Sequence, residues 1–223
     1  MLPLGHLSLG YLLSAGFGRL FRWQPPDFGS MVALTVATQL PDIVDKPLSW
    51  TLGVLPTGRT LTHSLFTAVV VSLVVHRLAR TAGAPGVGRA FAIGYGSHLL
   101  GDLYAAATSD SETLLFLFWP LVPQEPYSTP PSPDIYVAVA VASALVVAYL
   151  AVFAVVAAVS LRLGERRAWL YPAFVLGATV STVAVLLLTG VGLSGYALEL
   201  VLAQIAVAVW VRDGTPGLRW ART

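Results

Sequence analysis

The chain has 223 residues, of which 56% are hydrophobic and only 11% charged, and its mean hydropathy is +0.76. A soluble domain usually carries roughly twice that share of charge, so the composition favours an integral membrane protein. The net charge of +2 is too small to suggest a nucleic-acid partner, and the absence of cysteine excludes disulfides, thiolate chemistry and zinc–sulfur sites. Any bound metal must be held by His, Asp or Glu.

Two apolar segments open the chain. Leu2 to Leu20 predicts a first helix, with His6 near its start. Phe28 to Leu40 is shorter, about 20 Å at 1.5 Å per residue, against a hydrocarbon core of about 30 Å. We therefore expect it to end near one membrane interface, at the sequence Leu40-Pro41-Asp42-Ile43-Val44-Asp45.

Two further helices carry histidines. Thr60 or Thr62 is typical of a helix N-cap, which places His63 in the first turn of a helix running to about Leu78. The next helix runs from about Arg89 to Ala107. It contains His98 and Asp102, whose four-residue spacing puts both side chains on one face.

The rest of the chain divides into shorter and longer apolar pieces. Ser111 to Val122 is too short to span a bilayer and predicts an interfacial or re-entrant segment. Three more apolar spans follow a proline-rich loop, at 135–161, 170–188 and 193–211. We expect an all-α polytopic membrane helix bundle of about seven membrane segments. Its parts are a helical core at 1–123, a proline-rich loop at 124–134 and a three-helix segment at 135–223.

Basic residues predict the orientation of these seven segments. With the N-terminus outside and the C-terminus inside, the inner loops hold eleven of the thirteen Lys and Arg residues, as the positive-inside rule favours. The protein is then an integral cell-membrane protein. The same orientation puts the acidic and histidine positions together on the extracytoplasmic side: His6, Asp42, Asp45, His63, His98 and Asp102.

Ionisable groups in an apolar environment point to a functional site. Neutral imidazole and carboxylate are good ligands for zinc and similar ions, and a metal with an open position lowers the pKa of bound water toward about 7. Hydrolysis of a phosphoester fits this chemistry, with a membrane lipid as the natural substrate beside the bilayer. Arg59 could hold a phosphate oxygen, and Asp45 could act as a general base or a ligand.

Five short motifs occur in a fixed order: Gly5-His6; Leu40-Pro41-Asp42; Arg59-Thr60-Leu61-Thr62-His63-Ser64; Gly94-Tyr95-Gly96-Ser97-His98-Leu99-Leu100-Gly101-Asp102; and Trp119-Pro120-Leu121. Over residues 1 to 123 the chain resembles the family described as LexA-binding, inner-membrane-associated, metal-dependent hydrolases. The resemblance implies metal-dependent hydrolysis at a membrane.

A more distant similarity extends to the all-helical zinc phospholipase C and single-strand nuclease group. It implies one divalent metal ion, with zinc as the first candidate, held by Asp42, His63, His98 and Asp102. His6 could help to hold a second ion bridged by Asp102. Two positions depart from the family pattern: Val44 stands where a second acidic residue is usual, and Gly58 where a histidine is common.

Alternatives without a metal also fit the sequence. His98 and Asp102 could form a buried hydrogen-bonded pair, His63 could cap its helix, and Asp42 and Asp45 could be a solvated helix end. Arg59 could be structural. The protein as a whole could then be a carrier or an interaction module with no enzymatic activity.

Overall fold

A computed structural model describes residues 3–24, 26–107, 114–128, 201–207 and 209. Four α-helices lie in the N-terminal half: α1 (Pro3–Leu20), α2 (Phe28–Lys46), α3 (Leu65–Thr81) and α4 (Pro85–Ala107). A π-helical turn, Pro47–Thr51, continues from α2, and a 3₁₀ turn covers Leu114–Phe118. Residues 201–207 are also helical. The predicted all-α class is confirmed over these ranges.

The predicted seven-span membrane bundle is wrong. Among the helices of the described ranges, none has both the length and the apolar character that crossing a membrane requires. The 17 residues of α3 fall short of the roughly 20 that a span needs. The 23 residues of α4 are long enough, but they include His98, Asp102 and several glycines. The assignment of an outer and an inner side assumed seven spans and loses its basis with them.

Most of the C-terminal part lies outside the described residues. This applies to the segments predicted at 135–161 and 170–188, and to 193–211 except for 201–207 and 209. The proposed boundaries at 124 and 135 therefore stay predictions.

Helix α4 is the central element and contacts α1, α2 and α3. Its buried Phe91, Tyr95 and Leu99 form a core cluster with Ala37 of α2 and Ala68 of α3. The Tyr95 hydroxyl donates a hydrogen bond to the carbonyl oxygen of Thr62, at 2.7 Å. This bond holds the loop before α3 against the core, because breaking it would leave a buried hydroxyl and a buried carbonyl without a hydrogen-bond partner.

Gly94 sets how closely α2 and α4 approach. A Cβ atom at this position would lie 2.7 Å from the Leu34 carbonyl oxygen and 3.0 Å from the Cβ of Ala37. Displacing the backbone of a packed helix costs free energy, so the close contact between α2 and α4 depends on the absence of a side chain at Gly94.

We expect Gly94→Ala to lower the free energy of unfolding by about 1–3 kcal/mol, the usual cost of overpacking a core. Thermal unfolding followed by circular dichroism measures it. The matched control is Gly96→Ala, two residues along the same helix, where a Cβ meets nothing within 4 Å. The control should be neutral or slightly stabilising, because alanine favours helix over glycine. Equal stability of the two variants would contradict the close-packing account.

Helix α2 extends past the point where the sequence predicted its end. Asp27 caps its N-terminus by accepting a hydrogen bond from the Ser30 backbone N–H, at 2.7 Å. The helix then continues through Pro41 to Lys46. A proline inside a helix lacks a donor, so the sequence favoured a break there. Because the helix persists, Asp42, Asp45 and Lys46 occupy neighbouring positions on successive turns.

Helix α3 begins later than predicted. Ser64 is its N-cap and accepts a hydrogen bond from the Phe66 backbone N–H, at 3.2 Å. His63 therefore precedes the helix, and the expectation that it lies in the first turn after a cap at Thr60 or Thr62 is wrong.

Candidate metal centre

Three of the four histidines in the chain converge in one buried place. His6, His63 and His98 are all fully buried, and the ring centroids of His98 lie 3.8 Å from His6 and 5.0 Å from His63. Two carboxylates join them. One ligand atom from each of four residues lies within 4.8 Å of the others. We call these four residues the ligand cluster: Asp42, His63, His98 and Asp102.

The distances from the two histidines to the other donor atoms of the ligand cluster are close to those of a tetrahedral site. The Nε2 atom of His63 lies 3.1 Å from His98 Nε2, 3.2 Å from Asp102 Oδ2 and 3.4 Å from Asp42 Oδ1. The Nε2 atom of His98 lies 3.7 Å from Asp102 Oδ2 and 3.9 Å from Asp42 Oδ1. Donors about 2.0–2.2 Å from a tetrahedral zinc ion lie about 3.3–3.6 Å apart, so the observed spacings bracket the expected ones.

Neighbouring acceptors fix which nitrogen of each histidine faces the cluster. His98 Nδ1 lies 2.7 Å from the Thr38 carbonyl oxygen, which can only accept, so Nδ1 carries a proton. His63 Nδ1 donates in the same way to Asp45 Oδ2, at 2.9 Å. Both Nε2 atoms are left to face each other. Two lone pairs at this separation repel unless positive charge, a proton or a metal ion, lies between them.

Asp45 holds the loop that carries His63. Its carboxylate accepts hydrogen bonds from the backbone N–H groups of Thr60 and Thr62 at 2.8 and 3.0 Å, and from the Thr62 hydroxyl at 2.7 Å. It also accepts from the backbone and the ring of His63. Asp45 is fully buried. Since both oxygens accept these bonds, the carboxylate anchors and orients His63 from behind.

The two histidines of the cluster have opposite pKa shifts. Burial disfavours the charged form of His63, but hydrogen bonds to Asp102, Asp42 and Asp45 outweigh it and raise its pKa to about 10. Burial and the neighbouring His6 lower the pKa of His98 to about 3. Burial also opposes the charged form of Asp102, yet its histidine partners and Arg59 keep its pKa well below the usual range. Without a metal, His63 therefore carries a proton that its Nε2 atom donates to the neutral Nε2 atom of His98, and a metal ion would have to displace this proton.

His6 lies beside the cluster and has an unusual environment. Its ring stacks on His98, its Nε2 atom is 3.4 Å from Asp102 Oδ1, and neither ring nitrogen makes a hydrogen bond to a residue that the structure describes. Burial lowers its pKa, which favours the neutral ring. A buried nitrogen without a partner costs about 1–3 kcal/mol, so a small shift that brings His6 Nε2 within hydrogen-bond distance of Asp102 would be favourable.

Two cations lie at the outer side of the cluster. Arg59 Nε donates to Asp102 Oδ2 at 3.0 Å, and the Arg59 guanidinium lies 6.0 Å from the ring centroid of Phe116. Lys46 Nζ lies 2.5 Å from Asp42 Oδ2. Both side chains are partly exposed, whereas the histidines are fully buried. The open side of the cluster therefore lies next to these cations.

The 3₁₀ turn closes another side. Phe116 is buried and lies edge-on to the His63 ring, with centroids 6.3 Å apart. The Ser64 hydroxyl donates to the Trp119 carbonyl oxygen, and the Tyr127 hydroxyl accepts from the Gly58 backbone N–H at 3.3 Å. These bonds hold the segment 114–128 against the loop that carries His63.

The structure brings most of the predicted site residues together. The ligand cluster converges, His6 and Arg59 contact Asp102, and Asp45 lies behind His63. The sequence reasoning missed Lys46, Thr38 and Phe116. Lys46 could have been found from its four-residue spacing to Asp42, had α2 been continued past Pro41. No local pattern marks a backbone carbonyl such as that of Thr38.

Two imidazole nitrogens and two carboxylate oxygens fit a divalent ion of the zinc type. Each histidine has an acceptor behind it, as is usual for metal-binding histidines. The ligand cluster could therefore hold a metal ion, and the chemistry of its donors does not fix which one.

The family model for the YdjM inner membrane protein matches residues 1–191. The chain belongs to the YdjM inner membrane protein family. The match reaches well beyond the 123 residues that carry the sequence resemblance, and the family's name supports a membrane localisation. It carries no support for LexA binding, for hydrolase activity or for a likeness to zinc phospholipase C. No curated protein and no solved structure matches the chain.

Proposed function

We propose that this YdjM-family protein is a metal-dependent hydrolase that cleaves a phosphoester of a membrane lipid. The ligand cluster holds one divalent ion, with zinc as the first candidate. The observation that carries the proposal is the set of donor spacings: the Nε2 atoms of His63 and His98 lie 3.1 Å from each other and 3.2–3.9 Å from one oxygen each of Asp42 and Asp102, and all four atoms lie within 4.8 Å of one another.

A divalent ion held there would polarise a phosphoryl oxygen and make a water molecule more acidic. The protein's own groups would do the rest. Arg59 holds Asp102 in place, and its positive charge attracts an anionic substrate. Asp42 is the most accessible carboxylate of the cluster, with 11% of its side chain exposed, so we assign proton acceptance from the attacking water to it. Asp45 positions His63, in place of the general-base role expected from sequence.

His6 acts in this proposal as a partner of Asp102. Its Nε2 atom is already 3.4 Å from Asp102 Oδ1, so a small shift produces a hydrogen bond that orients the carboxylate. A second ion between His6 and Asp102 would have only these two protein donors within the described residues, which is too few for a stable site.

Two observations support a lipid substrate. The family is one of inner membrane proteins. The 3₁₀ turn beside the cluster buries Phe116 against His63 and leaves Leu114, Leu115 and Phe118 between 43% and 47% exposed. Such an apolar border beside a polar site suits a substrate with an acyl chain and a charged head.

The test is phosphoesterase activity of the purified full-length chain. We expect zinc-loaded protein in detergent to hydrolyse a chromogenic phosphodiester and a glycerophospholipid in mixed micelles. Chelation should abolish both activities, and added zinc should restore them. His63→Ala should be inactive, whereas His76→Ala, which removes the one histidine outside the site, should keep full activity.

Folded protein that binds zinc but hydrolyses neither substrate would overturn the hydrolase proposal. A carrier or interaction role would then account for the site. Equal activity of His63→Ala and the unmodified chain would show that any hydrolysis observed comes from elsewhere.

A further inference from the structure

Lys46 is the only lysine in the chain; the other twelve basic residues are arginines. It lies at the last position of α2, one turn after Asp42, and its ammonium group contacts Asp42 Oδ2. The other oxygen of that carboxylate, Oδ1, faces His63 and His98. Asp42 thus lies between the histidines of the ligand cluster on one side and the partly exposed ammonium group of Lys46 on the other.

The surroundings hold the Lys46 side chain in this place. Its ammonium lies 5.6 Å from the ring centroid of Trp50, within range of a cation–π interaction. Gly58 makes room for both residues, because a Cβ there would lie 2.8 Å from Trp50 Nε1 and 3.4 Å from Lys46 Cγ. A lysine that was simply solvated at a helix end would have neither the contact with Trp50 nor the space that Gly58 leaves for it.

Arg59 pairs with the second carboxylate ligand. Its Nε atom donates to Asp102 Oδ2, the oxygen that also faces His63 and His98, and the Arg59 and Lys46 side chains are similarly exposed, at 24% and 27%. The cluster is therefore bordered by one cation on each of its two carboxylates. Both cations reach the solvent-accessible side, while the imidazole rings are fully buried.

The charges of these groups favour an anion once a metal is bound. Asp42, Asp45 and Asp102 supply three negative charges, and Lys46 and Arg59 supply two positive ones. With neutral imidazoles, as metal binding requires, these groups leave one negative charge, and a divalent ion turns this into one positive charge. In a buried site with weak screening, such an excess attracts an anion to the open side.

We infer that Lys46 and Arg59 form an anion subsite beside the ligand cluster, where they hold the two non-bridging oxygens of a singly charged phosphodiester. The inference rests on the proposed metal centre and narrows its substrate class. Lys46 is then a substrate-binding residue. Under a purely structural role it would only neutralise Asp42.

Calorimetric titration tests this in two stages, zinc first and dimethyl phosphate second. We expect dimethyl phosphate to bind the zinc-loaded chain and not the metal-free chain. Lys46→Gln should weaken that binding about ten- to hundredfold, the value of a charge-assisted hydrogen bond, while Lys46→Arg keeps it within a few-fold. The zinc affinity of Lys46→Gln should be equal to or higher than that of the unmodified chain, because a cation competing for Asp42 is gone.

The control variant is Arg77→Gln, which removes an exposed cation near the far end of α3, about 20 Å along the helix from the Ser64 cap. It should leave phosphodiester binding unchanged. Equal affinity of Lys46→Gln and the unmodified chain for dimethyl phosphate would overturn the inference. Failure of the zinc stage itself would instead overturn the metal centre, so the two failures are distinguishable.

The single lysine permits an independent test on the unmodified protein. Acetylation of Lys46 by an amine-selective reagent, measured by mass spectrometry, should slow when zinc and dimethyl phosphate are both present. The zinc-loaded chain without dimethyl phosphate serves as the reference. Protection of Lys46 that does not depend on dimethyl phosphate would contradict an anion subsite.

Discussion

His98→Ala is expected to weaken zinc binding by more than about a hundredfold. Loss of a group that only orients a metal ligand already lowers metal affinity about 10–100-fold, and His98 is proposed as a direct ligand. The remaining donors would leave the ion with three protein contacts. Competition against a chelator of known zinc affinity measures the change, and any phosphoesterase activity should fall with it.

His76→Ala is the matched control, since it removes the one histidine outside the site. Thermal unfolding in the presence of chelator separates loss of metal from loss of fold. The metal-free His98→Ala protein should retain its helix content, because the core cluster around Phe91, Tyr95 and Leu99 of α4 does not depend on the His98 side chain. An unchanged zinc affinity in a well-folded His98→Ala protein would contradict the ligand assignment.

Asp45→Asn is expected to damage both stability and metal binding, although Asp45 is not a proposed ligand. The amide replaces one acceptor oxygen with a donor in a site where backbone N–H groups, a hydroxyl and an imidazole all donate. At least one buried donor is then unsatisfied, at a cost of about 1–3 kcal/mol. Zinc affinity should fall about 10–100-fold because His63 loses its orienting partner.

Asp27→Asn is the control for this substitution on the same helix. Asp27 caps α2, and asparagine is about as good an N-cap as aspartate, so stability and zinc affinity should stay close to those of the unmodified chain. Wild-type behaviour of Asp45→Asn in both measurements would show that the buried network does not hold His63 in place. A loss of stability without any loss of zinc affinity would mean that His63 is oriented by other contacts.

Local spacing predicted the part of the site that lies on one helix. His98 and Asp102 are one turn apart on α4, and a continuous helix was enough to place them on one face. The grouping of Asp42 and His63 with them depended on the seven-span orientation, which is wrong, and on the distant similarity that implied the ligand set. These residues come together because α2 and α4 approach each other closely at Gly94. The hydrophobic periodicity of the sequence does not predict this contact.

The site's supporting contacts were harder to foresee. Pro41 suggested a helix end, yet the helix continues and its next turns place Asp45 and Lys46 on either side of the ligand Asp42. Asp45 was expected to act as a base or a ligand because carboxylates near a metal often do. Its burial and its five hydrogen-bonding groups, which come from a loop 15–18 residues further along, appear only in three dimensions.

Apolar composition misled the prediction of the fold. A high share of hydrophobic residues suggested seven spans, but a span needs about 20 consecutive apolar residues. In α4 the same histidine, aspartate and glycines that build the site and allow close packing interrupt the apolar run.

The metal content of the purified full-length chain tests the central claim most directly. After zinc loading and removal of free metal, elemental analysis should give one zinc ion per chain, and X-ray absorption should show nitrogen and oxygen ligands at about 2.0–2.2 Å. A His63→Ala, His98→Ala double variant with unchanged helix content should contain none. Folded, unmodified protein that retains no zinc, or a double variant that retains as much, would contradict the account.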